Sequence, residues 1–81
     1  MIAITVHLLA GLQRHLPDGV EPGQGYPLAV ADGARVGDVL AELTLDGAGS
    51  VTCLVNGRHA GDDQPLQEGD VLAVFPAVGG G

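Results

Sequence analysis

Three glycines close the sequence, Gly79-Gly80-Gly81, directly behind Phe75-Pro76-Ala77-Val78. The last three residues carry no side chain, so the reactive group they offer is the carboxylate of Gly81. Without a Cβ, Gly79, Gly80 and Gly81 reach backbone angles closed to other residues and pass through a channel too narrow for any side chain. Such a tail fits inside another protein's active site, and the chemistry is expected at that end. Taken alone, the tail fits a frayed terminus better, so the reading depends on the rest of the chain.

The side chains offer little chemistry of their own. The sequence has no Gly-rich phosphate loop, catalytic triad or metal cluster. His7 and His59 do not stand at a metal-ligand spacing, and a solvated role is the simpler one for both. Cys53 is the single cysteine, which excludes an internal disulfide and fits a reducing compartment. Its place on the apolar phase of a strand makes it packing rather than a nucleophile. The formal charge is -7, with Arg14, Arg35 and Arg58 the only basic side chains besides three histidines. That balance argues against a nucleic acid partner and for steering toward positively charged protein surfaces. There is no lysine, so no side chain can accept an isopeptide-linked copy of the chain.

At 81 residues, 46% of them hydrophobic, the chain reads as one small soluble domain. Its apolar runs fall short of the roughly 20 residues of a membrane span. No membrane association and no signal peptide are expected, and the compartment is expected to be cytoplasmic.

The elements that must position the tail follow from hydrophobic period. Ile2 to Leu8 alternates, which sends Ile2, Ile4, Val6 and Leu8 to the core and Ala3, Thr5 and His7 outward. Leu9, Leu12 and Leu16 allow one or two helical turns ended by Pro17. The stretch from Pro17 to Gly25 reads as a loop. Tyr26 to Ala31 is a second strand, closed by the turn pair Asp32-Gly33. Val36, Val39, Leu40 and Leu43 form one stripe on a helix of about ten residues. Its start is poorly marked, because Arg35 stands where a Ser, Thr or Asp cap is usual and Gly37 weakens the first turn. Asp46 to Ser50 ends it. Val51 to Val55 and Arg58 to Ala60 flank Asn56-Gly57, a strong hairpin signal. The final strand runs from Val71 toward Pro76.

Strand, strand, helix, strand, short strand, strand, with the first and last strands adjacent in the middle, is the α+β, ubiquitin-like β-grasp arrangement: a mixed sheet of four to five strands under one helix. Residues 1–76 form the domain and 77–81 the tail.

Leu54-Val55-Asn56-Gly57-Arg58, Pro65-Leu66, Glu68-Gly69-Asp70, Phe75-Pro76-Ala77-Val78 and the terminal Gly80-Gly81 together resemble the ubiquitin-like sulfur carriers. The small subunit of molybdopterin synthase is the nearest type. The resemblance covers essentially the whole chain and is most specific at the C-terminus. It implies a carrier, not an enzyme, with no bound cofactor. An E1-like adenylating enzyme uses ATP and magnesium to activate the Gly81 carboxylate, and a sulfur donor protein displaces AMP to leave a thiocarboxylate. The tail, Gly79 and Gly80 included, then enters the large molybdopterin synthase subunit or another sulfur-accepting synthase. A carboxylate is a poor electrophile until activated, and a terminal glycine gives an incoming nucleophile the least obstruction.

Ordering three glycines in a tunnel costs about 1 to 2 kcal/mol each, so an anchoring surface is required. Leu54 and Phe75 are expected on the sheet face opposite the helix, with Pro76, Val78, His7 and His59 around them. Full burial of Leu54 and Phe75 would return about 1.5 to 3 kcal/mol each, enough to match that cost. Three departures from the family pattern, Gly79, Ala77 and Arg35, weaken the assignment to the molybdenum branch. Sulfur delivery to thiamine or another metabolite, a ubiquitin-like protein modifier and an inert β-grasp interaction domain stay open as alternatives.

Overall fold

The computed structural model describes residues 1–9, 12, 16–21, 23–43 and 51–76. In chain order the elements are β1 (Ile2–Leu8), β2 (Tyr26–Val30), α1 (Val36–Leu43), β3 (Val51–Val55), β4 (Arg58–Ala60) and β5 (Val71–Pro76). The strands form one sheet in the order β2-β1-β5-β3-β4. Strands β1 and β5 run parallel in the middle, and every other neighbouring pair is antiparallel. This is the ubiquitin-like β-grasp expected from the sequence.

Alternation puts one set of side chains under the helix. Ile4, Val6, Leu8, Leu72, Val74, Cys53 and Val55 are buried, and Val36 and Val39 of α1 belong to the same cluster, with Tyr26, Val30, Ala34 and Leu66. Leu12 joins it, 2% exposed, with its N–H on the carbonyl of Leu9 at 3.2 Å. The remaining residues of the expected turns after Leu9, residues 10–11 and 13–15, lie outside the described residues. So do Asp46 to Ser50 at the far end of the helix. No described helix is long and apolar enough to cross a membrane.

The helix start that the sequence marks so poorly is capped from elsewhere in the chain. The first donors of a helix lack intrahelical partners; here the N–H of Val36 reaches the carbonyl of Gln64 and that of Gly37 the carbonyl of Asp62, both at 2.9 Å. The carboxylate of Asp38 accepts from the Arg35 N–H at 3.0 Å, the reciprocal half of a capping box. Gly37 belongs to this arrangement, since a Cβ there would sit 3.1 Å from Asp62 Cβ. The helix thus needs no hydroxyl at residue 35.

Candidate functional site

The face of the sheet turned away from the helix is built by strand registration. His7 pairs with Ala73, Ala73 with Leu54 and Leu54 with His59, which forms one row across four strands. At about 4.8 Å per strand the row is roughly 14 Å long. Phe75 pairs with Thr52, placing its ring on the same face and diagonal to Leu54. Leu54, Phe75, Ala73, Thr52 and His7 are all partly covered, while His59 is exposed. Pro76 ends β5 opposite Val51.

The sequence-expected partner residues Leu54, Phe75, His7 and His59 therefore share one face, and Pro76 stands at its tail end. Val78, Gly79, Gly80 and Gly81 lie outside the described residues. Thr52 and Ala73 were not singled out from the sequence. Alternation includes both, but small side chains carry no signal of their own.

His7 is set in place by a residue the sequence treats as loop. A Cβ on Gly25 would lie 2.6 Å from His7 Nε2, 2.8 Å from His7 Cε1 and 2.8 Å from Thr5 Cγ2. All three separations are shorter than van der Waals contact, so glycine at residue 25 opens the notch that the imidazole occupies.

The start of β5 is fixed by a polar network centred on Asn56. Its backbone takes φ 52° and that of Gly57 φ 85°, the positive pair that a type I′ turn requires. The Asn56 side chain accepts from the Val71 N–H at 2.9 Å and donates to Asp70 Oδ1 at 2.9 Å. Asp70 Oδ2 accepts from the Gln67 N–H at 2.8 Å, and the Asp70 carbonyl accepts from Thr5 at 2.9 Å. Glu68 Oε1 receives the Ala3 N–H at 3.0 Å. Loop 67–70 is thereby stitched to both β1 and the hairpin, and β5 leaves it in a fixed direction.

Neither a metal nor a thiolate is suggested by the geometry. Among the described residues no three His, Cys, Asp or Glu side chains gather as metal ligands. Cys53 is buried; burial pushes its thiol up, and the negative field of Asp62 adds to the shift. The protonated thiol that results is a poor nucleophile, in keeping with a packing role.

The ThiS family model matches residues 22–81. The chain belongs to the ThiS family. As a member of it the chain is a ubiquitin-like sulfur carrier or modifier. Among solved structures, this ThiS-family chain is similar to a Pyrococcus furiosus protein assigned as subunit 1 of molybdopterin converting factor, with TM-score 0.75 and 27% identity over 96% of this chain and 100% of that one. It is similar to small archaeal modifier protein 1 from Haloferax volcanii, with TM-score 0.72 and 27% identity over 98% of this chain and 99% of that one. Subunit 1 in a complex of molybdopterin-converting factor subunits 1 and 2 from Helicobacter pylori shares the fold, with TM-score 0.62 and 17% identity over 99% of this chain and 100% of that one. No curated protein matches the chain.

Proposed function

We propose that this chain is a non-catalytic sulfur carrier that works through the carboxylate of Gly81. In this reading an E1-like enzyme adenylates that carboxylate with ATP and magnesium. A sulfur donor protein then displaces AMP, leaving a thiocarboxylate. The acceptor is the large subunit of a molybdopterin synthase, of which this chain is the small subunit, and the setting is cytoplasmic. The observation that carries the reading is the ThiS match, which runs through to Gly81. The similarity to the Pyrococcus furiosus protein supports the choice of synthase.

The open sheet face is the docking surface in this reading, and its geometry revises the magnitudes. Leu54 and Phe75 are already partly covered in the free chain. Docking then returns only a fraction of the roughly 1.5 to 3 kcal/mol for full burial of each. Against about 1 to 2 kcal/mol for ordering each tail glycine, these two side chains do not suffice. Ala73, Thr52, His7 and His59 must contribute, together with hydrogen bonds to the tail backbone.

The test is intact mass after the purified chain is mixed with ATP, magnesium, an E1-like partner and a sulfur donor. Replacement of one oxygen by sulfur at Gly81 is expected, and failure to form an AMP ester there overturns the reading. The similarity to a small archaeal modifier protein favours one second reading, a modifier joined to lysines of target proteins. That reading yields conjugates to other chains in extracts of the native host, where the carrier reading yields the thiocarboxylate alone.

A further inference from the structure

Asn56 is the one asparagine in the sequence, and a glycine follows it. That pair carries a reaction that needs no enzyme. The backbone nitrogen of the following residue attacks the carbonyl carbon of the asparagine side chain, a five-membered imide closes and ammonia leaves; glycine, with no Cβ, obstructs the attack least. Water then reopens the ring. Both residues are exposed, a Cβ on Gly57 would meet nothing within 4 Å, and the Gly57 N–H has no hydrogen-bond partner among the described residues. The nucleophile is therefore open to solvent.

The fold holds the other partner back. The Asn56 side-chain oxygen accepts from the Val71 N–H and its nitrogen donates to Asp70 Oδ1, each at 2.9 Å, so the carbon to be attacked is pinned toward β5 through both of its polar atoms. Expelling the amide nitrogen breaks the bond to Asp70. Bringing the carbon onto the Gly57 nitrogen draws the side chain away from Val71 as well. The planar imide also requires rotation about the Asn56 Cα–C bond, out of the left-handed conformation, φ 52°, that the turn imposes. The junction between the hairpin and β5 must open before the ring can close.

We propose that Asn56-Gly57 is a self-modification site gated by the fold: the amide survives while the junction is closed, and each opening exposes it to conversion into a carboxylate that hinders reclosure. Net, one water is taken up and one ammonia is released, and no electrons change hands. Hydrolysis at the side-chain carbonyl leaves an aspartyl side chain. An oxygen then replaces the donor that faced Asp70, setting two carboxylates against each other. Hydrolysis at the main-chain carbonyl leaves an isoaspartyl linkage, with an extra methylene in the backbone that a two-residue turn does not accommodate. Either product weakens the start of β5, and the Asp70 carbonyl, which receives the Thr5 N–H at 2.9 Å, passes that loss on to β1. The change runs one way, whatever Gly81 carries.

The test is incubation of the purified chain at mildly alkaline pH, folded and in guanidinium chloride, with peptide mapping by mass spectrometry. Conversion of amide to acid at Asn56 should run about tenfold or more slower in the folded chain. Asp-Gly pairs close the same ring but lose and regain water, so they leave the mass unchanged. Asp70→Ala, verified as folded by circular dichroism, should speed conversion in the folded chain several-fold. Asn56→Asp, which makes the aspartyl product directly, should lower the urea midpoint. Adding Asp70→Asn should restore part of it, because the exchanged amide and carboxylate remake the bonds to Val71, to Gln67 and to each other. Equal rates in the folded and denatured chain, a rate indifferent to Asp70→Ala, or an Asn56→Asp chain as stable as the parent would each overturn the proposal.

Discussion

Asn56 combines two contributions to stability that substitution can separate. Its backbone is left-handed at φ 52°, and its side chain makes two hydrogen bonds, from Val71 N–H and to Asp70, both at 2.9 Å. Its own N–H reaches the Val71 carbonyl at 2.8 Å whatever the side chain. Asn56→Gly keeps the conformation and removes the two side-chain bonds. At an exposed position these lie in the lower part of about 0.5 to 1.5 kcal/mol each, so a loss of about 1 to 2 kcal/mol is expected. Asn56→Ala loses the same bonds and adds about 1 to 2 kcal/mol for holding alanine in the left-handed region. About 0.4 to 1 kcal/mol of that is offset, because alanine has less freedom than glycine in the unfolded chain. The alanine variant should therefore fall below the glycine variant by about 0.5 to 1 kcal/mol, a sizeable part of the few kcal/mol expected for a domain of this size. Urea unfolding at pH 7, followed by circular dichroism and compared at common m, measures both. A glycine variant as stable as the parent would show that the side-chain network contributes nothing. Equal alanine and glycine variants would show that the turn carries no conformational strain.

Gly25→Ala should destabilise by about 1 to 3 kcal/mol through overpacking, and His7→Ala in the same chain should recover part of it. A thermal-unfolding double-mutant cycle with zero coupling would dismiss the notch. Burial raises the thiol of Cys53 and the phenol of Tyr26, so the unfolded chain ionises first. The stabilisation is complete below the unfolded values and is lost as pH rises from about 8.5; Cys53→Ala should flatten this alkaline decline in urea midpoints while leaving thiocarboxylate loading of Gly81 intact. Leu54→Ala with Phe75→Ala should weaken calorimetric binding to the E1-like partner about tenfold or more with the far-ultraviolet spectrum unchanged, and unaltered affinity would remove the sheet face from the interface.

What was legible in the sequence was whatever is decided locally. Period two fixed the faces of β1 and β3, and Asn56-Gly57 announced the hairpin because few other pairs supply two positive φ angles. The stripe Val36, Val39, Leu40 and Leu43 located the helix. Its beginning was illegible because the caps come from the carbonyls of Asp62 and Gln64, which no local rule connects to residue 36. Gly37 read as a weak point for the same reason, since the clearance it provides is toward Asp62. Gly25 is the analogous case at the candidate site, its role being defined by His7 on another strand. Alternation placed Leu54, Phe75, His7 and His59 on one sheet face, as the structure has them, whereas Val78 to Gly81 lie outside the described residues.

The placement of acidic residues bears on how such a partner is met. Among the described residues Asp18, Glu21, Asp32, Asp38, Glu42, Asp62, Asp63, Glu68 and Asp70 all sit in loops, turns or the helix, and none of the described strands contains a carboxylate side chain. The row His7–Ala73–Leu54–His59 and its neighbours Phe75 and Thr52, the proposed docking face, consequently carry two histidines as their titratable side chains. Charge and contact are thus separated in space. The long-range field of a chain at -7 draws in a positively charged surface, yet in the proposed complex closing this face buries none of the described side-chain carboxylates, and ionic desolvation is confined to the carboxylate of Gly81. Electrostatics should then govern arrival more than departure. Raising ionic strength from 0.05 to about 0.5 M, which shortens the screening length several-fold, should slow association with the E1-like partner while leaving the dissociation rate nearly constant in stopped-flow measurements. A dissociation rate that climbed in step with salt would mean that carboxylates of loop 61–70 lie inside the interface, and the apolar face would not be what holds the complex together.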